Sequence, residues 1–443
     1  MKRRCSLRLD LLTGESNLIW QVFDRITGRN GGIARTISTS HQVDPGKIIK
    51  SFKDSVFKLP VGSTDQQVLE SLYAWGKIAC KEIFPDEIQR KLSSYDCGDV
   101  LFMVPIQWAD FPFELIYLQN SFLGQRFLIG TILNTGISQA DEKHYNQKGD
   151  LMIIADSSEV LQSVCRERES LKNIAINRKR QVRLILQANV QKLIAEIPGA
   201  SIVHFAGHSG PDQKYDTAGW RLSEGHYFDT DDIIKIGESP VLPWLVFSNS
   251  CDGGRVMINP GLSGIAGAFL SAGVHQVVGP LCKLNDMQAK CCTLLFYSGL
   301  FRGKSAAQAL TSLRKRCPKE AGLTPLFYRL FGDPRFREPA NKNLRTKIVR
   351  LSMMVIAFLS LLAVGINHLH SKKELASSTL APGNLNIKKS GGIVFDLDVG
   401  GIIHFSVNLY APTFIYKETE TSHQDKRSGS GLQFDTSKSE ITR

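Results

Sequence analysis

The sequence predicts an α/β fold, a parallel or mixed sheet flanked by helices. Three observations predict it. First, short apolar runs at 151–155, 182–186, 201–205, 245–249 and 275–279 alternate with helical stretches. Second, runs such as Ile153-Ile154 and Leu245-Val246-Phe247 are apolar on both faces, as strands covered by helices on two sides must be. Third, 42% hydrophobic and 22% charged residues match ordinary globular usage and exclude a collagen-like, coiled-coil or disordered chain. The 443 residues leave room for several structural units.

The elements follow in order. Cys5, Leu7, Leu9 and Leu11 alternate with polar residues, and after a turn at Thr13-Gly14 so do Leu18, Trp20 and Val22, which predicts a hairpin. A helix is expected over about 65–84, with Val68, Leu69, Leu72, Trp75 and Ile78 as its apolar stripe. Residues 100–106 read as a strand. Beyond 150, helices are expected from about 159 and 190, then over 262–272, 286–300 and 305–316. No fixed-period repeat is visible.

Leu351 to Ser371 contains no Asp, Glu, Lys or Arg. That length suits a membrane-spanning helix. Arg345, Lys347 and Arg350 crowd its N-terminal flank and Lys372-Lys373 its C-terminal flank. The heavier basic flank on the N-terminal side predicts that the preceding domain is cytoplasmic. After the span, Phe395, Leu397 and Val399, then Ile403, Phe405, Val407 and Leu409, alternate around Gly400-Gly401, predicting a small β-meander on the opposite side. The polar end of the tail is expected to be disordered. The expected organisation is therefore an α+β part (1–140), an α/β core (148–337), a basic linker (338–350), the transmembrane helix (351–371) and the β tail (372–443).

The net charge of +12 accompanies no helix-turn-helix, zinc-finger or RRM pattern, so nucleic acid is not an expected partner. Nine cysteines with no CxxC spacing suggest reduced thiols and neither a disulfide framework nor a zinc site. No long apolar run follows the basic start, so a cleaved leader is not expected. His226, His275, His368 and His370 lack metal-like spacing. GLSGIAG at 261–267 lacks the context of a nucleotide fingerprint, so neither metal nor cofactor is expected. Trp108, Trp244 and Cys291-Cys292 read as packing.

Two strand ends carry unusual residues, SIVHFAGHSG (201–210) and WLVFSNSCDGG (244–254). Sites in parallel sheets form beyond the carboxyl ends of strands. If these strands are neighbours, His208 and Cys251 meet there, as a thiol nucleophile and its proton-shuttling imidazole require. Backbone N–H groups at Ser209 and Cys251 can serve as an oxyanion hole. Against this stands the ordinary fate of a lone Cys as a small buried hydrophobe.

HFAGHSG followed 43 residues past His208 by SNSCDGG resembles the CHAT family, caspase-like cysteine peptidases of clan CD. IQWADFPFELIYLQNSFLGQRFLIG (106–130), GIAGAFLSAGVHQVVGPL (264–281), FYSGLFRGKSAAQAL (296–310) and FYRLFGDPRF (327–336) resemble further parts of it, and so does the region ending in FKLP (57–60). The resemblance spans roughly 1–337. It implies a caspase-like core preceded by an α+β pseudo-subdomain, with His208 and Cys251 as catalytic dyad and His204 structural, while Asn249 and Ser250 shape the turn. Two departures stand out: Ser209 replaces a glycine after His208, and Asp252 replaces a small residue after Cys251. Asp252 can raise the thiol's pKa, favour a basic P1 residue, or simply face solvent. The resemblance implies a cysteine endopeptidase acting on a protein or peptide substrate in signalling, defence or cell death, with an upstream activator as a further partner. The alternatives are an inactive signalling scaffold, or a transducer controlled by its far-side tail.

Overall fold

Alternating burial builds the first sheet edge. In the computed structural model, β1 (Arg4–Thr13) turns Cys5, Leu7, Leu9 and Leu11 inward, and β2 (Leu18–Asp24) does the same with Leu18, Trp20 and Val22. The structure describes residues 3–13, 18–24, 35–38, 43–57, 63–134, 144–146, 149–155, 162–211, 218–222, 225–256, 264–316, 319–338, 353–357, 359–360 and 363.

The hairpin is extended by β3 (Arg35–Ser38), and three helices follow: α1 (Pro45–Phe57), α2 (Asp65–Ile83) and α3 (Asp86–Ser93). Thr64 and Gln67 form a reciprocal capping box that starts α2, a device worth about 1 kcal/mol. The buried face of α2 is Leu72, Trp75, Gly76, Ala79, Cys80 and Ile83, and Ile78 is 61% exposed, so the expected stripe is corrected there. At 100° per residue Ile78 points about 120° away from Leu72. A Cβ on Gly76 would lie 2.5 Å from the Leu115 carbonyl oxygen, so the glycine is what lets α2 approach that segment. The helix α1 was not expected from the sequence. It buries Phe52 beside Trp75.

The chain continues through β4 (Cys97–Pro105), β5 (Tyr117–Leu118), β6 (Ser121–Phe122), α4 (Leu123–Arg126), β7 (Phe127–Asn134) and β8 (His144–Tyr145). The expected α/β rhythm then appears as β9 (Leu151–Ala155), α5 (Gln162–Asn177), β10 (Val182–Ile185), α6 (Val190–Glu196) and β11 (Ile202–Ala206). A small antiparallel sheet, β12 (Ser209–Pro211), β13 (Ala218–Arg221) and β14 (Tyr227–Asp229), is followed by α7 (Thr230–Lys235) and β15 (Val241–Leu242). The core closes with β16 (Leu245–Asn249), α8 (Ile265–Ala272), β17 (Gln276–Pro280), α9 (Asp286–Leu300), α10 (Ala306–Arg316), α11 (Thr324–Phe327) and β18 (Tyr328–Phe331).

One eleven-stranded sheet runs through both halves in the order β10-β9-β11-β16-β17-β18-β7-β4-β1-β2-β3. It is parallel from β10 to β17 and from β18 through β7 and β4 to β1; β18 is antiparallel to β17, and β2 is antiparallel to both β1 and β3. This is the mixed sheet that the sequence predicts. Strands β9, β11, β16 and β17 are buried on both faces, which accounts for their largely apolar sequences. Three large apolar clusters result, one in the N-terminal part and two on opposite sides of the C-terminal strands.

Residues up to Ser360 belong to one compact unit. Among the described residues no helix is long and apolar enough to cross a membrane. Within 351–371 the described residues 353–357, 359, 360 and 363 are helical and exposed, with Met353, Met354 and Ile356 each more than 60% accessible. The rest of that segment and the expected β-meander lie outside the described residues.

Candidate active site

Strand register brings the two unusual strand ends together. Strand β11 runs parallel beside β16 with Ala206 opposite Asn249. His208 and Cys251 each follow two residues later. Both line one cavity with Gly207, Asn249, Ser250, Ser163, Val164, Glu167, Leu284, Asp286 and Ala289. The condition set by the sequence, that the strands be neighbours, is met.

The turn after β16 is held from several sides. Ser248 Oγ accepts from Trp220 Nε1 at 2.8 Å and shares a 2.9 Å hydrogen bond with Ser250. Gly253 N donates to Ser250 O at 3.0 Å and Gly254 N to Pro280 O at 2.8 Å. A Cβ on Gly254 would stand 2.3 Å from the Gly279 carbonyl oxygen, so the turn packs flush on β17 only as glycine. From the other side, Asp110 accepts from Val256 N at 2.8 Å and from Arg255 at 3.4 Å. The segment at 106–115 is thereby coupled to the turn. It is anchored in turn by the buried Arg329 of β18, which donates to the carbonyls of Ala109 and Phe111.

Ser209 is more than a replaced glycine. Its hydroxyl donates to the Cys251 carbonyl, linking the two loops. Arg221 N donates to His208 O at 2.9 Å, while Ser209 is paired with Trp220. Bonded and non-bonded pairs alternate in an antiparallel ladder, so the Ser209 N–H points away from β13.

Asp252 occupies left-handed backbone at φ +56°. Its side chain is 43% exposed and faces Arg255 at 3.7 Å. Burial pushes its carboxyl above the usual range and Arg255 pulls it back; Asp110 adds to the rise, and Lys53 and Lys283 oppose it. Asp252 lies outside the cavity lining.

A buried polar chain supports the cavity from beneath. Glu167 on α5 is 3% exposed and accepts from His204 Nε2 at 3.0 Å and from Asn249 Nδ2 at 2.8 Å. Asn249 Oδ1 accepts from the buried Tyr328 hydroxyl at 2.5 Å. His204 is therefore internal, as expected, but Glu167 escaped the sequence reading. It lies in the charged stretch CRERES, where nothing distinguishes it from solvated neighbours.

The other cysteines occupy different settings. Burial pushes the Cys5 thiol up to about 12 and Cys80 to about 11, and raises Cys282 as well. Such thiols are weak nucleophiles at neutral pH. Cys292 is buried on α9, with Cys291 half-buried beside it. Trp108 and Trp244 are wholly buried, and His275 packs on Phe336 at 3.9 Å. His226 is exposed, and His368 and His370 lie outside the described residues. Among the described residues no group of His, Cys, Asp or Glu forms a metal site.

A helix-flanked sheet with a histidine and a cysteine beyond adjacent parallel strands defines the caspase-like class. The CHAT domain family model matches residues 80–329, and the chain belongs to that family. Two solved structures of the Saccharomyces cerevisiae separase–securin complex, at 3.0 and 2.6 Å resolution, are similar at 15% identity with a TM-score of 0.38. The alignments cover 66% of this chain but only 22% and 23% of those chains. Comparison with curated proteins gives no match.

Proposed function

We propose that the protein is a caspase-like cysteine endopeptidase. The observation that carries this reading is the placement of His208 and Cys251 at equivalent steps beyond paired strands, lining one cavity. His208 takes the proton from Cys251 Sγ, and the thiolate attacks the scissile carbonyl carbon. The N–H groups of Ser209 and Cys251 receive the developing oxyanion, a contribution of about 10²–10³ in rate per donor. His208 then protonates the leaving amine, and water releases the acyl group from Cys251. On this reading the catalytic domain lies in the cytoplasm and is held at a membrane by 351–371, with the tail on the opposite side. The exposed apolar side chains of Met353, Met354, Val355, Ile356 and Leu359 support such an anchor, since they gain from transfer out of water. Anchoring restricts cleavage to protein substrates at or recruited to that membrane, in regulated proteolysis answering to an upstream activator.

The test compares new protein N-termini in cells expressing wild type and Cys251→Ala. Recurrent cuts that vanish in the variant are expected; the same cuts persisting in Cys251→Ala would sink the reading. Asp252 favours one alternative, a scaffold of weak or no activity, because a carboxylate beside the thiol opposes its ionisation. On that reading Cys251 reacts with alkylating agents no faster than the exposed Cys165.

A further inference from the structure

We infer that Glu167 is a positioning residue, whose carboxylate ties the carboxyl ends of β11 and β16 and thereby sets the spacing of His208 and Cys251. Its functional meaning rests on the peptidase reading above. Three observations carry it. One oxygen of Glu167, Oε1, accepts from His204 on β11 and from Asn249 on β16. These donors stand four residues before His208 and two before Cys251. The amide of Asn249 is fixed at its other end by Tyr328 of β18, so it cannot turn over without losing both bonds. Finally, Glu167 is buried yet forms part of the wall of the cavity that His208 and Cys251 share. A third element, α5, therefore joins the two strands, four residues before His208 on one and two before Cys251 on the other.

Packing alone does not require this arrangement. A buried carboxylate is costly to desolvate unless it is hydrogen-bonded, and here the bonds it makes run to the two strands that carry the dyad. Glutamine can accept the same two bonds through its own Oε1. Aspartate keeps the charge but is one methylene shorter, and alanine loses both bonds.

The experiment reads two quantities on the full chain for Glu167→Gln, Glu167→Asp and Glu167→Ala. One is the rate of iodoacetamide alkylation of Cys251 across pH, followed on its own peptide by mass spectrometry. The other is amide hydrogen exchange in 206–209 and 249–252. Glu167→Gln is expected to stay within about threefold of wild type in both. Glu167→Ala is expected to raise exchange at both segments together by about tenfold or more. It should also slow the alkylation of Cys251 toward the rate of the exposed Cys165. If the alanine variant does not fold, Glu167→Asp supplies the comparison and is expected to show the same changes in smaller measure. A folded alanine or aspartate variant with unchanged profile and exchange overturns the inference, and so does a glutamine variant that behaves like alanine. Failure of the peptidase reading is separately visible: wild-type Cys251 then reacts no faster than Cys165, and the exchange data alone decide the tie.

Discussion

Asp252 holds φ +56°, a conformation natural to glycine and tolerated by few other residues. That geometry explains why glycine would suit the position after Cys251. Asp252→Gly is expected to leave stability unchanged or raise it by up to about 1 kcal/mol, read by urea unfolding. The same substitution removes the carboxylate beside Cys251 and is expected to speed its alkylation at neutral pH. A slower reaction would show that Asp252 assists the thiol. At this scale the sequence was informative where residue type is restrictive: Gly253-Gly254, His208 and Cys251 were all legible. It was silent on Glu167, because a buried carboxylate on a helix reads like any surface glutamate until its neighbours are known.

Among the elements, the segment at 106–115 shows what pattern reading loses. It consists of two single 3-10 turns, Ile106–Trp108 and Phe113–Leu115, joined by a short loop, each too short to show a period. Yet Asp110 grips the turn after Cys251, and Arg329 of β18 grips the segment. Arg329 is wholly buried; burial pushes its guanidinium down, and Glu114 and Asp110 act to restore it. Arg329→Met is expected to cost about 2–4 kcal/mol, since it leaves the carbonyls of Ala109 and Phe111 without their buried donor. Denaturant midpoints measure this, and a loss below about 1 kcal/mol would show that Arg329 is dispensable. The strands of the C-terminal half were readable because burial on both faces leaves apolar runs. The helix α1 was equally legible, since Ile48, Ile49, Phe52 and Val56 recur at helical spacing, yet it escaped the sequence reading. Strand β7 was hidden within a stretch read only for its motif.

Across the whole molecule, pH acts through His275. Burial holds its imidazole below the ordinary value of 6.5, with Asp333 pulling the other way. Tyr145 Oη lies 3.1 Å from Nδ1, and Nε2 is buried without a hydrogen-bond partner in the described structure. The folded state thus resists a proton that the unfolded chain accepts. The stability contributed is complete above about pH 6.5 and is lost as pH falls through the depressed value. Thermal midpoints from pH 8 to 5 should fall on the acid side, and His275→Gln should flatten that fall. An unaltered slope in the variant would assign acid sensitivity elsewhere.

The order of strands also dictates an order of events during synthesis. The strand β18 ends at residue 331, yet it sits between β17 and β7 in the middle of the sheet. Its link to β7 is a single paired position, Phe331 with Thr131, reinforced by Gly332 N donating to Thr131 O at 2.8 Å. Until those residues leave the ribosome, the growing chain holds two incomplete sheets, each with an open inner margin of unpaired peptide groups. Such margins invite pairing with other nascent chains. A polypeptide stopped before residue 328 would therefore be two adhesive half-sheets rather than a smaller domain, and the finished site exists only once the last strand locks the halves together.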